Sequence, residues 1–197
     1  MTNISELTVE PILEDSPLTN FAKRSFTPNP GWIQEMEEEI TPYRRAILSS
    51  PLVQEASAGT LPLPLMQSWM IQLYPFIETF PHWIALNIAK TEDAHSRGFM
   101  INNIRIEKRH AEQWIQMAYG FGAAPEILQT VIPVPEVDAL THWLWSINTK
   151  GSLAECVAAT NYAIEGITHD IALATVKGFP AYTRYSDVRL NKKTYGW

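Results

Sequence analysis

The chain has 197 residues, of which 46% are hydrophobic and 11% aromatic. This length and composition are typical of one globular domain with a sizeable core, and they exclude a disordered protein. The formal net charge of −6 argues against a nucleic-acid-binding surface. The single cysteine, Cys156, excludes an internal disulfide and indicates a reducing, cytoplasmic compartment. Cys156 lies in a run of small residues, where we expect it to pack and not to act as a nucleophile.

The first part of the chain differs in pattern from the rest. Residues 1–30 contain four prolines and no sustained hydrophobic period, which predicts an N-terminal arm preceding a domain of residues 31–197. The arm lacks the basic and apolar regions of a signal peptide. No apolar run approaches the roughly 18 residues that a membrane span needs, so we expect no membrane partner.

Helical patterns separated by short breaks fill the remaining sequence, without strand-like alternation. Helices are predicted over residues 31–43, 51–59, 61–90, 96–119, 136–147 and 153–177, with a short one starting at residue 125. Pro75 and Pro81 predict a kink in the second long helix. A new helical pattern starts at Arg189 and stops at Trp197. The predicted class is all-α, with connections short enough for neighbouring helices to pack antiparallel.

The most informative pair of residues is Glu107 with His110. They are three positions apart in a helical pattern without Gly or Pro, so they project from one face. Ile104 and Trp114 share that face, which should therefore point inward. A carboxylate and an imidazole are costly to bury without partners. Glu-x-x-His pairs that face a bundle core are one way in which helical proteins hold iron or manganese.

A plainer interpretation of this pair stays open. A single Glu-x-x-His occurs often by chance, and a half-buried glutamate usually pairs with an arginine or a lysine. Arg105 and Arg109 are near enough in sequence to serve as such partners.

Three predicted helices each carry a glutamate and a histidine three or four residues apart. The pairs are Glu78 with His82, Glu107 with His110, and Glu165 with His169. Three converging pairs are much less expected by chance than one. Glutamate and histidine suit iron, manganese or zinc, whereas a single cysteine excludes a sulfur-rich site.

Three segments resemble the UndA family of non-heme iron oxidases, which convert medium-chain fatty acids to terminal alkenes. They are residues 104–110, Leu-Thr-His-Trp-Leu-Trp at 140–145 and Ala-Thr-Asn-Tyr-Ala-Ile-Glu-Gly at 159–166. The resemblance extends from about residue 61 to residue 177, and the octapeptide is its most specific part. More widely, the chain is similar to the heme-oxygenase-like diiron oxidases and to the TenA and PqqC proteins of the same fold. A heme-oxygenase-like helical bundle is therefore expected.

The resemblance also implies roles for particular residues. Metal ligation is implied for Glu107, His110 and Glu165, with Glu78 as a further carboxylate. His82 and His169 do not match ligands of the family. We assign these two histidines to the substrate pocket or its surroundings, together with Phe80, Trp114 and Tyr162. The family takes its other ligands, a histidine and an acidic residue, from a last core helix that begins at about residue 197. Either the natural chain continues, which we favour because the helical pattern is unfinished, or this protein has lost half of the site.

The function implied by the resemblance is an iron-dependent oxidase that activates dioxygen and acts on a small carboxylic acid, such as a medium-chain fatty acid. Fe(II), as one or two ions, is the expected cofactor, dioxygen the co-substrate and a homodimer the expected assembly. Two alternatives stay open. One is a metal-free enzyme of the TenA or PqqC type, which uses the acidic groups for proton transfer around a bound heterocycle. The other is a non-catalytic ligand-binding or regulatory protein.

Overall fold

The computed structural model describes residues 29–191, and all of its regular elements there are helical. In chain order they are α1 (Gly31–Leu48), α2 (Pro51–Ala58), α3 (Leu63–Ile88), α4 (Ala94–Gly120), α5 (Pro125–Thr130), α6 (Pro135–Lys150), α7 (Leu153–Val157), a π-helical segment (Ala158–Glu165), α8 (Gly166–Thr175) and a 3-10 turn (Phe179–Arg184). No strand occurs in residues 29–191. The predicted all-α class is confirmed.

The ends of the sequence fall partly outside this description. The predicted N-terminal arm, apart from residues 29 and 30, and the helix expected near residue 197 lie outside the described residues. Residues 189–191 are not helical, so the pattern predicted from Arg189 is wrong at its start. The Arg189 backbone N–H instead donates to the Gly120 carbonyl at 2.7 Å, which ties this stretch to the end of α4. None of the described helices is long and apolar enough to cross a bilayer.

The chain divides into two compact units within α1, the first running from Met1 to Glu39 and the second from Ile40 to Trp197. In the described part of the first unit, the Gln34 side chain donates to the Asn29 carbonyl at 3.2 Å. The second unit contains the rest of α1 and all later elements. The predicted boundary at residue 31 stays a prediction.

Helix α3 is the central element of the second unit and packs along α4 and α6. Its apolar residues enter two core clusters, one around Met66 and Met70 and the other around Phe80 and Trp83. It stays a single helix through Pro75 and Pro81, so the prolines do not end it. Proline removes one helical hydrogen bond, and burial of this aromatic-rich helix between its neighbours compensates for that loss.

The α3–α4 packing is fixed by one tryptophan. The Trp114 indole N–H donates to the Met70 carbonyl at 2.8 Å, and both residues are buried. Trp69 meets the Trp114 ring edge-on, with the ring centroids 6.4 Å apart. This bond satisfies the polar atom of a large buried ring and sets the register of the two helices.

Two glycines allow the end of α2 to contact the start of the 3-10 turn. Gly59 has a φ of 70°, in the left-handed region that glycine adopts without strain. A Cβ at Gly59 would lie 2.5 Å from the Ala181 Cβ and 2.8 Å from the Gly178 carbonyl oxygen. A Cβ at Gly178 would in turn collide with the Ala56 carbonyl. The two backbones therefore meet at a distance that only glycine permits.

We expect Gly59→Ala to destabilise the protein by more than the roughly 1 kcal/mol that a left-handed alanine costs, because a clash is added to the strain. Gly98→Ala is the matched control, since Gly98 lies in the exposed part of α4 with open space around it. There alanine should stabilise by roughly 0.5–1 kcal/mol. Urea unfolding followed by circular dichroism measures both changes. Equal effects of the two substitutions would contradict the close contact.

Candidate functional site

A cavity of about 870 Å³ lies between α3, α4 and α8 in the second unit. Most of its wall is apolar, with α3 contributing positions 69, 70, 73, 76, 77 and 80. This spacing places those side chains on one face of the helix. The polar lining residues are Glu107, His110, Glu165, Thr168, His169 and Thr175. No lysine or arginine is among the described residues that line it.

Helix α4 contributes the first carboxylate. Glu107 is only 6% exposed, and its Oε2 lies 3.1 Å from His110 Nδ1. The Asn103 side-chain amide donates to Glu107 Oε1 at 3.5 Å. Asn103, Glu107 and His110 are three and four positions apart, so one helical face holds all three. The predicted inward face of α4 is therefore present, and Glu107 pairs with His110.

The π-helical segment contributes the second carboxylate, Glu165. The Asn161 amide donates to Glu165 Oε2 at 3.1 Å. Burial raises the pKa of the Glu165 carboxyl, and the hydrogen bond from Asn161 opposes that rise. The charge of Glu107 raises the pKa further. Electrostatic coupling between carboxylates on different helices indicates that they face a common space.

A buried polar network anchors the π-helical segment. The Asn87 amide donates to Asn148 Oδ1 at 2.8 Å, and the Asn148 amide donates to Thr160 Oγ1 at 2.7 Å and to the Leu144 carbonyl at 2.8 Å. Asn87, Asn148 and Thr160 are each at most 1% exposed. The network joins α3, α6 and the π-helical segment five residues before Glu165. It thereby fixes the backbone that carries this carboxylate.

Arg44 contacts the same segment from α1. Its guanidinium donates to the Tyr162 carbonyl at 3.2 Å and lies 5.8 Å from the centroid of the Tyr162 ring. A Cβ at Gly166 would collide with this guanidinium, so glycine leaves the space that Arg44 occupies. Tyr162, predicted for the substrate pocket or its surroundings, is not among the residues that line the cavity. It contacts Arg44 instead.

The remaining predicted site residues separate into two groups. Phe80 and Trp114 line the cavity, as does His169, whose side chain is 69% exposed. Glu78 and His82 do not line it. Both are exposed instead: Glu78 lies about 100° round the helix from Ile77, and His82 lies about 200° round it from Phe80.

Glu78 and His82 instead have partners elsewhere. The Tyr74 hydroxyl donates to Glu78 Oε1 at 3.3 Å. Burial and then the charge of Glu78 raise the pKa of Tyr74. His82 lies against the Trp145 ring, with the ring centroids 6.3 Å apart. The structure thus brings Glu107, His110 and Glu165 to one cavity and places Glu78 apart from them. In residues 29–191, no group of three or more His, Cys, Asp or Glu side chains is close enough to hold a metal ion.

Sequence reasoning missed Asn103 and Asn161, which hold the two carboxylates. Each asparagine lies four positions before its glutamate. An amide at that spacing on a face already predicted to be buried is a signal that could have identified both. The expectation that Cys156 packs in the interior is confirmed, since its side chain is fully buried. It is not among the residues that line the cavity.

Residues 37–182 match the TENA/THI-4/PQQC family. The chain belongs to this family. A crystal structure of a TenA homologue from Pseudomonas syringae pv. tomato is 29% identical, with a TM-score of 0.75 over 88% of this chain and 76% of the homologue. A domain of unknown function from Shewanella denitrificans shares the heme-oxygenase-like fold, with a TM-score of 0.55 over 87% of this chain and 84% of that domain, at 15% identity. A comparison with curated proteins gave no match. The predicted fold and the kinship with TenA and PqqC are confirmed.

The buried network gives a stability prediction. Asn148→Ala leaves the polar groups of Asn87 and Thr160 without their shared partner, and we expect a loss of roughly 1–3 kcal/mol in the free energy of unfolding. Thr149→Ala, at the next and exposed position of α6, should stay within about 0.5 kcal/mol of the wild type. Chemical denaturation measures both values. A loss of less than about 0.5 kcal/mol in Asn148→Ala would mean that the network does not anchor the segment.

Proposed function

We propose that this TenA-family protein is an oxidative enzyme that binds a mostly apolar carboxylic acid in the cavity and uses Fe(II) at the cavity's polar end. The observation that carries the proposal is the pair of carboxylates, Glu107 and Glu165, in an apolar cavity whose described lining holds no lysine or arginine. Two carboxylates in such surroundings repel each other unless a proton or a cation lies between them. A divalent metal ion supplies that positive charge.

The chemistry of the donors fits iron. Glu107, His110 and Glu165 provide two carboxylates and an imidazole, a combination typical of non-heme iron sites. The amides of Asn103 and Asn161 each hold one carboxylate, as groups behind metal ligands commonly do. In the described geometry the three side chains do not yet form a group of ligands. Metal binding therefore requires them to reorient.

When bound, Fe(II) supplies the activation of dioxygen, as in other non-heme iron oxidases. The protein's own contribution is to bind and orient the substrate. The cavity volume is typical of small-molecule sites. Burial of an aliphatic chain against its wall stabilises the complex by about 25 cal/mol per Å². The indole N–H of Trp114 is already bonded to the Met70 carbonyl, so this ring presents only apolar surface to a ligand.

The head group of the substrate follows from the same charges. A carboxylate that enters the cavity needs a positive partner, which a bound Fe(II) ion or a protonated histidine of the described lining would supply. His110 and His169 are the histidines available there. Iron binding and binding of the acid should therefore favour each other.

A metal-free acid–base enzyme is the second candidate. The observation in its favour is that burial favours the protonated form of Glu165, beside the paired Glu107 and His110. A proton donor and a proton acceptor side by side are the basis of general acid–base catalysis. Membership of the TenA family supports this candidate too. A metal-free enzyme of this kind would have no thiol nucleophile in the cavity, because Cys156 does not line the cavity.

Iron loading separates the two candidates. After anaerobic incubation with Fe(II) and desalting, we expect the wild type to retain iron and to consume dioxygen faster with dodecanoic acid. Glu107→Ala should lose both properties. Glu112→Ala, an exposed position on the same helix, should keep both. Iron retention in Glu107→Ala equal to that in Glu112→Ala would refute the assigned ligand, and a wild type that retains no iron would favour the metal-free candidate.

Filling the cavity tests the substrate site directly. Because Trp69 and Trp114 line the cavity, binding of dodecanoic acid should change the tryptophan fluorescence. We expect Ala172→Phe to weaken that binding by about tenfold or more, since the larger ring occupies space for the chain. Ala89→Phe, at an exposed position outside the cavity, is the control. Unchanged affinity in Ala172→Phe would place the acid elsewhere.

A further inference from the structure

A lysine and the single cysteine of the chain lie in contact outside the cavity. Lys90 Nζ is 3.0 Å from Cys156 Sγ, although the two residues are 66 positions apart in sequence. Lys90 follows the end of α3, and Cys156 lies in α7. Cys156 is fully buried, whereas Lys90 is half-buried and gives the pair one side towards solvent.

Backbone carbonyls hold both side chains in place. Lys90 Nζ donates to the Gly151 carbonyl at 2.6 Å, and Cys156 Sγ donates to the Ile147 carbonyl at 3.2 Å. The turn that provides these carbonyls is itself fixed, because Ser152 and Glu155 form a capping box at the start of α7. A Cβ at Gly151 would lie 2.7 Å from the Ile147 carbonyl oxygen, so this turn requires glycine. The contact between Lys90 and Cys156 is thus held by the backbone where α3, α6 and α7 meet.

We propose that Lys90 and Cys156 are an oxidative modification site, at which the amine and the thiol become joined through one oxygen atom. In the reaction, an N–H and the S–H bond break, and an N–O and an O–S bond form. One dioxygen molecule takes up the four electrons; one of its oxygen atoms stays in the N–O–S bridge and the other leaves as water. Two molecules of hydrogen peroxide supply the same oxidation and leave three waters.

The position of the pair favours this product over the usual products of thiol oxidation. An oxidised thiol normally forms a disulfide or takes up further oxygen. No second cysteine exists in the chain, so an internal disulfide is excluded. The amine nitrogen of Lys90 instead lies 3.0 Å from the sulfur. One molecule of hydrogen peroxide converts the Cys156 thiol to the sulfenic acid, and a second converts the amine to a hydroxylamine, whose oxygen attacks the sulfur and displaces water to form the N–O–S bridge. Direct attack of the amine on the sulfenic sulfur would form an N–S bond with a net loss of two hydrogens and no gain of oxygen, a product that the mass distinguishes from the bridge.

The bridge would join the end of α3 to α7. Helix α7 leads directly into the π-helical segment that ends at Glu165, and α3 forms one wall of the cavity. The crosslink therefore ties a wall of the cavity to the backbone that carries a polar residue of the same cavity. It closes a long loop and restricts the unfolded chain, which raises the temperature of unfolding.

Mass spectrometry of the intact full chain tests the proposal. After treatment with hydrogen peroxide, we expect a gain of one oxygen and a loss of two hydrogens, a net change of about 14 Da, that dithiothreitol reverses. Trypsin should no longer cleave after Lys90, and the digest should contain one species that joins the peptides of Lys90 and Cys156. The bridged form should also have a higher Tm than the reduced form.

Two variants are matched controls. Lys90→Arg keeps the positive charge but cannot form the bridge, and Cys156→Ser keeps a small polar group without sulfur. Neither should show the change of about 14 Da or the rise in Tm. If either variant fails to fold, the intact mass and the tryptic peptides of the oxidised wild type test the proposal alone. Cleavage after Lys90 in oxidised wild type, with Cys156 unmodified or carrying only added oxygen, would overturn the proposal.

Discussion

The site depends on the repulsion between two carboxylates that share an apolar space. Burial raises the pKa of Glu165 on the π-helical segment, and the charge of Glu107 on α4 raises it further. His110, Asn103 and Asn161 each contact one of them and offset part of this cost. Any ligand that brings positive charge to the polar end of the cavity relieves the remaining electrostatic repulsion between the two carboxylates. The apolar wall strengthens this preference, because charges interact more strongly where water is excluded.

The rest of the second unit holds these two carboxylates in place. The Trp114–Met70 bond sets α4 against α3, and the Asn87–Asn148–Thr160 network fixes the π-helical segment against α3 and α6. Helix α3 takes part in both arrangements and also forms the apolar wall. A change in α3 therefore affects the shape of the cavity and the placement of both carboxylates together.

Much of the fold could be predicted from the sequence. Helices α3 and α4 were expected over residues 61–90 and 96–119 and are observed as Leu63–Ile88 and Ala94–Gly120, because their apolar period is long and regular. The inward face of Glu107 and His110 followed from the same period. The first helix, predicted from Gly31 through Tyr43, is observed as Gly31–Leu48 with Pro42 inside it.

Some features of the site could not be predicted from spacing. Glu78 and His82 are four positions apart and Glu107 and His110 three, and both spacings place the two side chains on one helical face. Spacing does not say which face of α3 is buried. The packing of α3 on α4 and α6 decides that face. The predicted helix over residues 153–177 is continuous, yet its middle is π-helical. A change in helical type depends on tertiary contacts, such as those of Thr160 and Arg44, that a local pattern does not contain.

The π-helical segment also sets the phase between the two parts of the last long helix. A wider turn accommodates one more residue than an α-helix over the same rise. Cys156 just before the segment and Thr160 near its start are buried and bonded to α6, whereas Glu165 at its end and Ala172 after it line the cavity. In a regular α-helix, the residues after the segment would be rotated by about 100° relative to those before it. Because of this local distortion, the first part of the continuous helical stretch packs in the core and its second part lines the cavity.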